Sequence, residues 1–219
     1  MRNFSYKIEH DFGLAPNPFG GYCTLAVCKS SIRSNKGLEV GSWIIGTGSK
    51  KLKNVNKLIY AMQVEEKLTF NEYWNDSRFQ YKKPVINGTL VQMYGDNFYH
   101  QNEDGKWIQE NSAHSLANGM PNLGHLKRDV GGQYVLISTN FYYFGDQAIS
   151  VPKEFVRDVF SSGRDMRSPS ISKEAIDKFI SWLSENYNSG ILYGDPTSWI
   201  SHLKKWLCKL NCVRFYFYS

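Results

Sequence analysis

The stretch that most restricts this chain runs from residue 13 to residue 49. It begins Gly13-Leu14-Ala15-Pro16-Asn17-Pro18-Phe19-Gly20-Gly21 and ends Gly41-Ser42-Trp43-Ile44-Ile45-Gly46-Thr47-Gly48-Ser49. Two short apolar runs, Tyr22–Cys28 and Trp43–Ile45, are bounded by glycines and small polar residues. Runs of this length between turn residues predict buried strands. Glycines at strand ends let the backbone approach a ligand, because no Cβ holds it away. The stretch carries no metal-ligand signature, phosphate loop or nucleophile elbow. It points to the wall of a binding pocket more than to a reaction.

Charge gathers in the same region. Between Cys28 and Lys57 lie Lys29, Arg33, Lys36, Lys50, Lys51, Lys53 and Lys57 against the single acid Glu39, which accounts for the whole net charge of +6. A localised basic stripe favours a polyanionic partner. The plainer alternative is a solvated loop that keeps the protein soluble. The 219 residues suit one domain, or one domain with an appendage, and can bury a core without staples. Cys23, Cys28, Cys208 and Cys212 are the only cysteines. The N-terminus is polar, and no run approaches the about 18 apolar residues of a membrane span. A reducing, cytoplasmic setting without membrane association is expected.

Along the chain, Tyr22–Cys28, Leu38–Gly46 and Leu58–Val64 predict strands, and Thr69 predicts the N-cap of a short helix over Thr69–Trp74. Pro84–Leu90 reads as a short strand broken by Asn87-Gly88. Residues 94–132 contain six glycines and little periodicity, and read as a long irregular polar segment. Gln133–Ser138 and Phe141–Phe144 predict a hairpin around Thr139-Asn140. Helices are expected over Pro152–Phe160, Ser172–Tyr187 and Thr197–Leu210, and Val213–Tyr218 is an aromatic tail. Strands early and helices late predict an α+β fold.

Several constellations bear on chemistry. Cys23 and Cys28, five apart in a predicted strand, point to opposite faces and read as structural cysteines rather than zinc ligands. Asp96, His100, His114 and Asp129 fall in or beside the polar segment, so an acid–base cluster can be assembled there, although no spacing demands it. Gly46-Thr47-Gly48-Ser49 followed by Lys50-Lys51 lacks the order of a phosphate loop, yet its N–H groups and lysines suit an isolated phosphate. Tyr73, Trp74, Arg78, Phe79, Tyr81, Lys82 and Lys83 fall within eleven residues. That interleaving of rings and cations, with Asp96-Asn97 nearby, suits an unstacked base. The alternative is that most of these rings are core and the polar groups cap turns.

Ala15-Pro16-Asn17-Pro18-Phe19-Gly20-Gly21, Cys23-Thr24-Leu25-Ala26, Cys28-Lys29 and Ile32-Arg33 resemble the opening of the nucleotide modification associated domain family, second type. Gly41–Ser49 resembles that family's Gly-Asp-Trp-Val-x-Gly-Thr-Gly-Ser segment, with Ser42 in place of the usual aspartate. Tyr60-Ala61-Met62, Phe70, Tyr73-Trp74, Arg78-Phe79, Lys82-Lys83-Pro84, Asn87-Gly88, Tyr94-Gly95-Asp96-Asn97 and His114-Ser115 also resemble family positions. The resemblance covers roughly residues 6–170. It implies a nucleic-acid role in bacterial or phage base-modification or defence systems, which make or handle modified DNA bases. The strand order is also similar to the PUA-like group (PUA, ASCH, EVE and YTH domains), small β-barrels that hold a modified or flipped base.

The expected architecture is a PUA-like β-barrel core over residues 1–170 with a C-terminal helical extension over 171–219. The expected function is recognition of a modified or flipped base, in DNA more than RNA. Asn17, Trp43, Thr47, Ser49, Tyr94, Asp96, Asn97 and His114 are the expected base pocket. Arg33, Lys50, Lys51 and Arg78 are the expected phosphate contacts. No catalytic residue, metal or cofactor is assigned. The rival reading is an enzyme acting on a nucleotide or modified base, with Asp96, His114 or Asp129 as general acid or base. A third is an interaction module that binds a protein partner through Phe215–Tyr218.

Overall fold

The computed structural model describes residues 1–163, 166–167 and 170–199. The first elements are β1 (Phe4–Lys7), β2 (Cys23–Leu25), α1 (Ser30–Arg33), β3 (Trp43–Thr47), β4 (Lys57–Gln63), β5 (Glu66–Thr69) and α2 (Phe70–Asn75). A 3-10 helix over Ser77–Lys82 follows, then α3 (Leu90–Met93), β6 (Tyr99–Gln101), β7 (Trp107–Gln109) and α4 (Leu123–Val130). The last part holds β8 (Tyr134–Ser138), β9 (Phe141–Tyr143), β10 (Ile149–Ser150), α5 (Lys153–Asp158), α6 (Lys173–Asn186) and β11 (Ile191–Leu192).

A large sheet runs β1-β3-β4-β9-β11, with β10 paired to the start of β4. A smaller sheet runs β2-β8-β5, and β6-β7 form a separate hairpin. Side-chain alternation sorts the strands into layers. Ile44, Tyr60, Met62, Phe141 and Tyr143 of the large sheet meet Cys23, Leu25 and Leu136 of the small one. From the opposite face of the large sheet, Trp43, Ile45, Ala61 and Tyr142 pack on Phe155 of α5 and on Ile176, Phe179 and Leu183 of α6. On the outer face of the small sheet, Val135 and Ile137 pack on Phe70, Tyr73, Phe79, Phe98 and Tyr99. Both sheets are thus covered on both faces, which is why their strands read as nearly continuous apolar runs. Each fully buried large apolar side chain of α6 contributes about 1.5–3 kcal/mol.

Two strand pairs cross from one sheet to the other at a shared corner. β4 pairs antiparallel with β9 in the large sheet, and β5 pairs antiparallel with β8 in the small one. The chain changes sheet at Val64-Glu65 and again at Thr139-Asn140. The Glu65 carboxylate accepts from the Thr139 N–H, the Thr139 hydroxyl and the Asn140 N–H, locking the two bends together. β8 and β9 are therefore not the expected hairpin; they belong to different sheets, as at the corners of packed sheets. Among the described residues no sheet closes, since β1 and β11 end the large one. The fold is α+β, and the expected barrel core is not formed by these residues.

Other local expectations are also corrected. The first predicted strand keeps only three residues, because the backbone turns left-handed at Cys28 and Lys29. Pro84–Leu90 is not a strand: Thr89 caps α3 in a reciprocal pair with Gln92. The segment 94–132 is ordered into β6, β7 and α4. Asn102 and Lys106 close the hairpin turn, and the Asn122 side chain accepts from the His125 N–H to start α4. Asp129 is the one buried residue of α4, and Leu126 and Val130 pack only partly buried on the outer layer of the small sheet, a stripe too short to stand out among polar neighbours. Thr69 caps α2 with Glu72 as the sequence predicts, and Ser172 caps α6. Most of the predicted helix Thr197–Leu210, with Cys208, Cys212 and the tail Phe215–Tyr218, lies outside the described residues. No described helix is long and apolar enough to cross a membrane.

Gly46 has a packing role. A Cβ there would lie 2.2 Å from Cε1 of Tyr60 and 2.6 Å from Cδ1 of Ile8. Tyr60 is fully buried and shares a 2.8 Å hydroxyl hydrogen bond with Tyr6. Gly46→Ala is expected to destabilise the chain by about 1–3 kcal/mol through overpacking. The measurement is the urea midpoint, and an unchanged midpoint contradicts the close packing of β1, β3 and β4.

Candidate functional site

A cavity of about 1080 Å³ opens where β1 leaves the large sheet. Tyr6 through His10 line its base, Cys28 and Lys29 one wall, residues 111–119 another, and His125 and Arg128 of α4 the last. His10, Phe12 and Tyr94 also line it. Phe12 lies parallel to Tyr94 at 5.0 Å and 17°, and to His10 at 6.1 Å and 12°. Three rings therefore form one nearly planar-parallel stack beside the cavity.

The opposite side brings together residues distant in sequence. Cys28 Sγ is 3.9 Å from His114 Nε2, and His114 Nδ1 is 2.7 Å from Asp129 Oδ2. The other Asp129 oxygen accepts from the Cys28 N–H at 3.0 Å. The Tyr99 hydroxyl donates to Asp129 Oδ2 at 3.1 Å. Cys28 sits on the strand-to-helix turn between β2 and α1 with φ 57, and Lys29 follows with φ 40. Such conformations are uncommon for non-glycine residues and are held here by their surroundings.

Burial works against the charged form of His114, but the hydrogen bond to Asp129 and the interaction with Cys28 outweigh it, and its pKa is pushed up to about 9. Burial also opposes ionisation of Asp129, but the hydrogen bond and charge of His114 and the Cys28 N–H outweigh it and hold the carboxyl below its ordinary value. His125 is lowered by burial and then by the neighbouring charges of His114 and Arg128.

His114, His125 and Asp129 place one donor atom each within 4.8 Å of one another, a grouping compatible in residue type with a metal ion. However, His114 and Asp129 aim at each other across 2.7 Å, a hydrogen bond rather than two bonds to a shared ion. The Arg128 guanidinium also donates to His125 Nδ1 at 2.9 Å. The arrangement as it stands is an imidazole oriented by a carboxylate toward a thiol.

Of the expected base-pocket residues, only Tyr94 and His114 line the cavity. Asn17 lies behind it, where its Nδ2 donates to the Tyr94 carbonyl at 3.1 Å and its Oδ1 accepts from buried Lys82 at 2.7 Å. Burial lowers Lys82 to about 8 and raises Asp96. Asp96 accepts from Thr24 and Tyr73, and Asn97 donates to the carbonyls of Tyr73 and Phe79. Both belong to the interior support of the wall. Thr47 donates to the Tyr6 carbonyl from β3, and Ser49 accepts from Leu52 in the next turn, so the Gly46–Ser49 segment backs β1 without lining the cavity. Trp43 is on the helix-covered face of the large sheet, stacked on Tyr142. Ser42 accepts from the Glu39 N–H in the turn before β3, and so does not line the cavity either.

The expected phosphate contacts divide in the same way. Arg33 is fully buried and donates to the carbonyls of Cys28, Tyr134 and Asp129, so it is an interior clamp rather than a surface cation. Gly132 makes room for it: a Cβ there would lie 2.4 Å from the guanidinium carbon. Arg78 is engaged by Glu66 and Asp76. Lys50 is exposed beside Lys51, and Lys51 reaches the cavity rim, with its Nζ 2.6 Å from His10 Nε2. His100 pairs with Glu110 and stacks on Trp74, apart from His114. Cys28, Phe12, His10, His125 and Arg128 were not among the expected site residues. No local motif marks Cys28, whose partners lie 86 and 101 residues away.

The His114–Asp129 pair gives stability a defined pH dependence. His114 is raised from 6.5, so its contribution is fully present below pH 6.5 and is lost as the pH rises through about 9. Asp129 is lowered from 3.8, so its contribution is present above pH 3.8 and is lost as the pH falls through its depressed value. His114→Gln is expected to lose about 3 kcal/mol where the pair is fully charged. Urea denaturation from pH 4 to 9.5 should show the gap to wild type widest in the acidic half and narrowing toward pH 9. A constant gap contradicts a charged imidazole.

No curated protein and no solved structure is significantly similar to the chain. The model of one family, described as nucleotide modification associated domain 2, matches residues 1–203. The match extends beyond the 6–170 of the sequence resemblance and covers every residue of the cavity and of the Cys28–His114–Asp129 cluster. Ring stack, thiol and oriented imidazole therefore lie within a single family domain, and the chain belongs to the nucleotide modification associated domain 2 family.

Proposed function

We propose that the cavity holds a modified nucleobase, presented as an unstacked base of DNA within a base-modification or defence system. The observation that carries this reading is the stack of His10, Phe12 and Tyr94 along the cavity. Aromatic rings along a cavity suit an unstacked base, and polar groups opposite them read its edge. Asn111, Ser112, Ser115 and Asn118 are such groups on the facing segment. The volume of about 1080 Å³ lies at the upper end of small-molecule pockets and leaves room for a base with a substituent. Lys7, Lys29 and Arg128 line the cavity, and Lys51 stands at its rim, in positions that suit flanking phosphates. Membership in the family supports the nucleotide context.

The test is fluorescence anisotropy with single-stranded oligodeoxynucleotides carrying plain or 5-hydroxymethylated pyrimidines. Binding should weaken as salt is added. Tyr94→Leu keeps apolar volume but removes the stacking face, and is expected to weaken binding about tenfold or more, since each stacked base is worth about 1–3 kcal/mol. Phe12→Leu serves as a second variant, with thermal unfolding as the folding control. Undetectable binding at low salt, or equal affinity for wild type and both variants, contradicts the reading.

A further inference from the structure

We propose that Cys28 is a nucleophile and that the cavity carries out thiol-dependent acyl transfer on a carbonyl group attached to a nucleobase. The nucleobase as carrier rests on the reading of the cavity given above, whereas the thiol chemistry rests on the geometry of three side chains.

The two described cysteines differ in placement. Cys23 is fully buried between the sheets with its Sγ against Met62, the setting of an inert packing residue. Cys28 is partly exposed and lines the cavity. Its sulfur faces Nε2 of an imidazole whose Nδ1 is held by a carboxylate. That is the order of nucleophile, base and orienting acid that thiol catalysis requires. The same carboxylate accepts the Cys28 N–H, so one group positions both the nucleophile and its base. The left-handed backbone at Cys28 and Lys29 presents the thiol on a sharp strand-to-helix turn, as nucleophiles are presented in other folds. Packing alone calls for neither the imidazole nor the strained turn.

The reaction needs only water as co-reactant. One proton is shared between the Cys28 sulfur and His114 Nε2; with it on His114, the sulfur lone pair forms a C–S bond to the carbonyl carbon. The tetrahedral intermediate collapses, the C–N bond to the exocyclic amine of the base breaks, and the amine leaves with the proton from His114. Water then gives a proton to His114 and adds to the thioester carbon. The C–S bond breaks, the proton returns to sulfur, and a carboxylic acid is released. The sum is amide plus water giving acid plus amine. Asp129 touches no reacting atom; it is a positioning residue.

The test uses the full chain and two probes, p-nitrophenyl acetate and N-acetylated deoxycytidine, with mass spectrometry of the protein and iodoacetamide alkylation of Cys28 followed against pH. The expected result is a gain of one acetyl group on Cys28 with both probes and alkylation of Cys28 faster than that of free cysteine under the same conditions. His114→Gln should slow alkylation and slow acetylation about 100-fold or more. Asp129→Asn should change the pH profile of alkylation in the same sense as His114→Gln, a change that a purely structural role would not produce. Cys28→Ser should abolish acetylation. Matching alkylation profiles for wild type and His114→Gln, or no acetyl-thioester from either probe, overturns the proposal. So does stoichiometric zinc binding that blocks alkylation and is lost in His125→Ala. If wild type binds oligonucleotide but forms no thioester, catalysis fails and recognition stands. If p-nitrophenyl acetate acylates Cys28 but no oligonucleotide binds and N-acetylated deoxycytidine does not react, the nucleobase reading fails and the thiol remains a nucleophile.

Discussion

One buried carboxylate, that of Asp129, joins four separate parts of the chain. Its two oxygens accept from the Cys28 N–H, from His114 and from the Tyr99 hydroxyl. Its backbone carbonyl accepts from Arg33, which also ties down the carbonyls of Cys28 and Tyr134. The strand-to-helix turn, the β6–β7 hairpin, residues 111–119 and α4 thus meet at a fully buried acid. An isolated carboxylate there would be expelled or neutralised. The charge persists because three donors surround it, one of them the His114 imidazolium, and the same partners bring a thiol and an imidazole to the cavity. The site depends on the arrangement as a unit, since a partly satisfied buried network is worse than none.

The second constraint is the shared corner between the sheets. Because β4–β5 and β9–β8 bend together at Glu65 and Thr139-Asn140, the large and small sheets face each other across a common apolar layer. The chain between β5 and β8 is then left to cover the outer face of the small sheet. Its Lys82 and Tyr94 both bond to Asn17, from the segment before β2, and this tie holds the aromatic wall. Charged groups that read in the sequence as ligand contacts are in fact internal fixtures of that wall.

The cysteine, the imidazole and the ring stack give the domain two different resources in one cavity. In the proposed reading the rings take the base and the thiol is the reactive atom of the same cavity. Family membership supplies the nucleotide context in which both make sense.

Local pattern by itself determined the α+β class, the apolar strands Trp43–Thr47 and Lys57–Gln63, and the capped helices α2 and α6. Those features follow from periodicity, caps and glycine placement, which act over a few residues. Tertiary structure alone decided that β8 and β9 separate, that α4 exists around one buried acid, and that Arg33, Asn17, Asp96 and Trp43 face inward. It also decided that Cys28 meets His114. The physical reason is that burial and pairing over 86 residues depend on which surfaces the folded sheets leave for each other, and no local spacing encodes that. A buried arginine and a phosphate-binding arginine are the same letter until the carbonyls around it are in place.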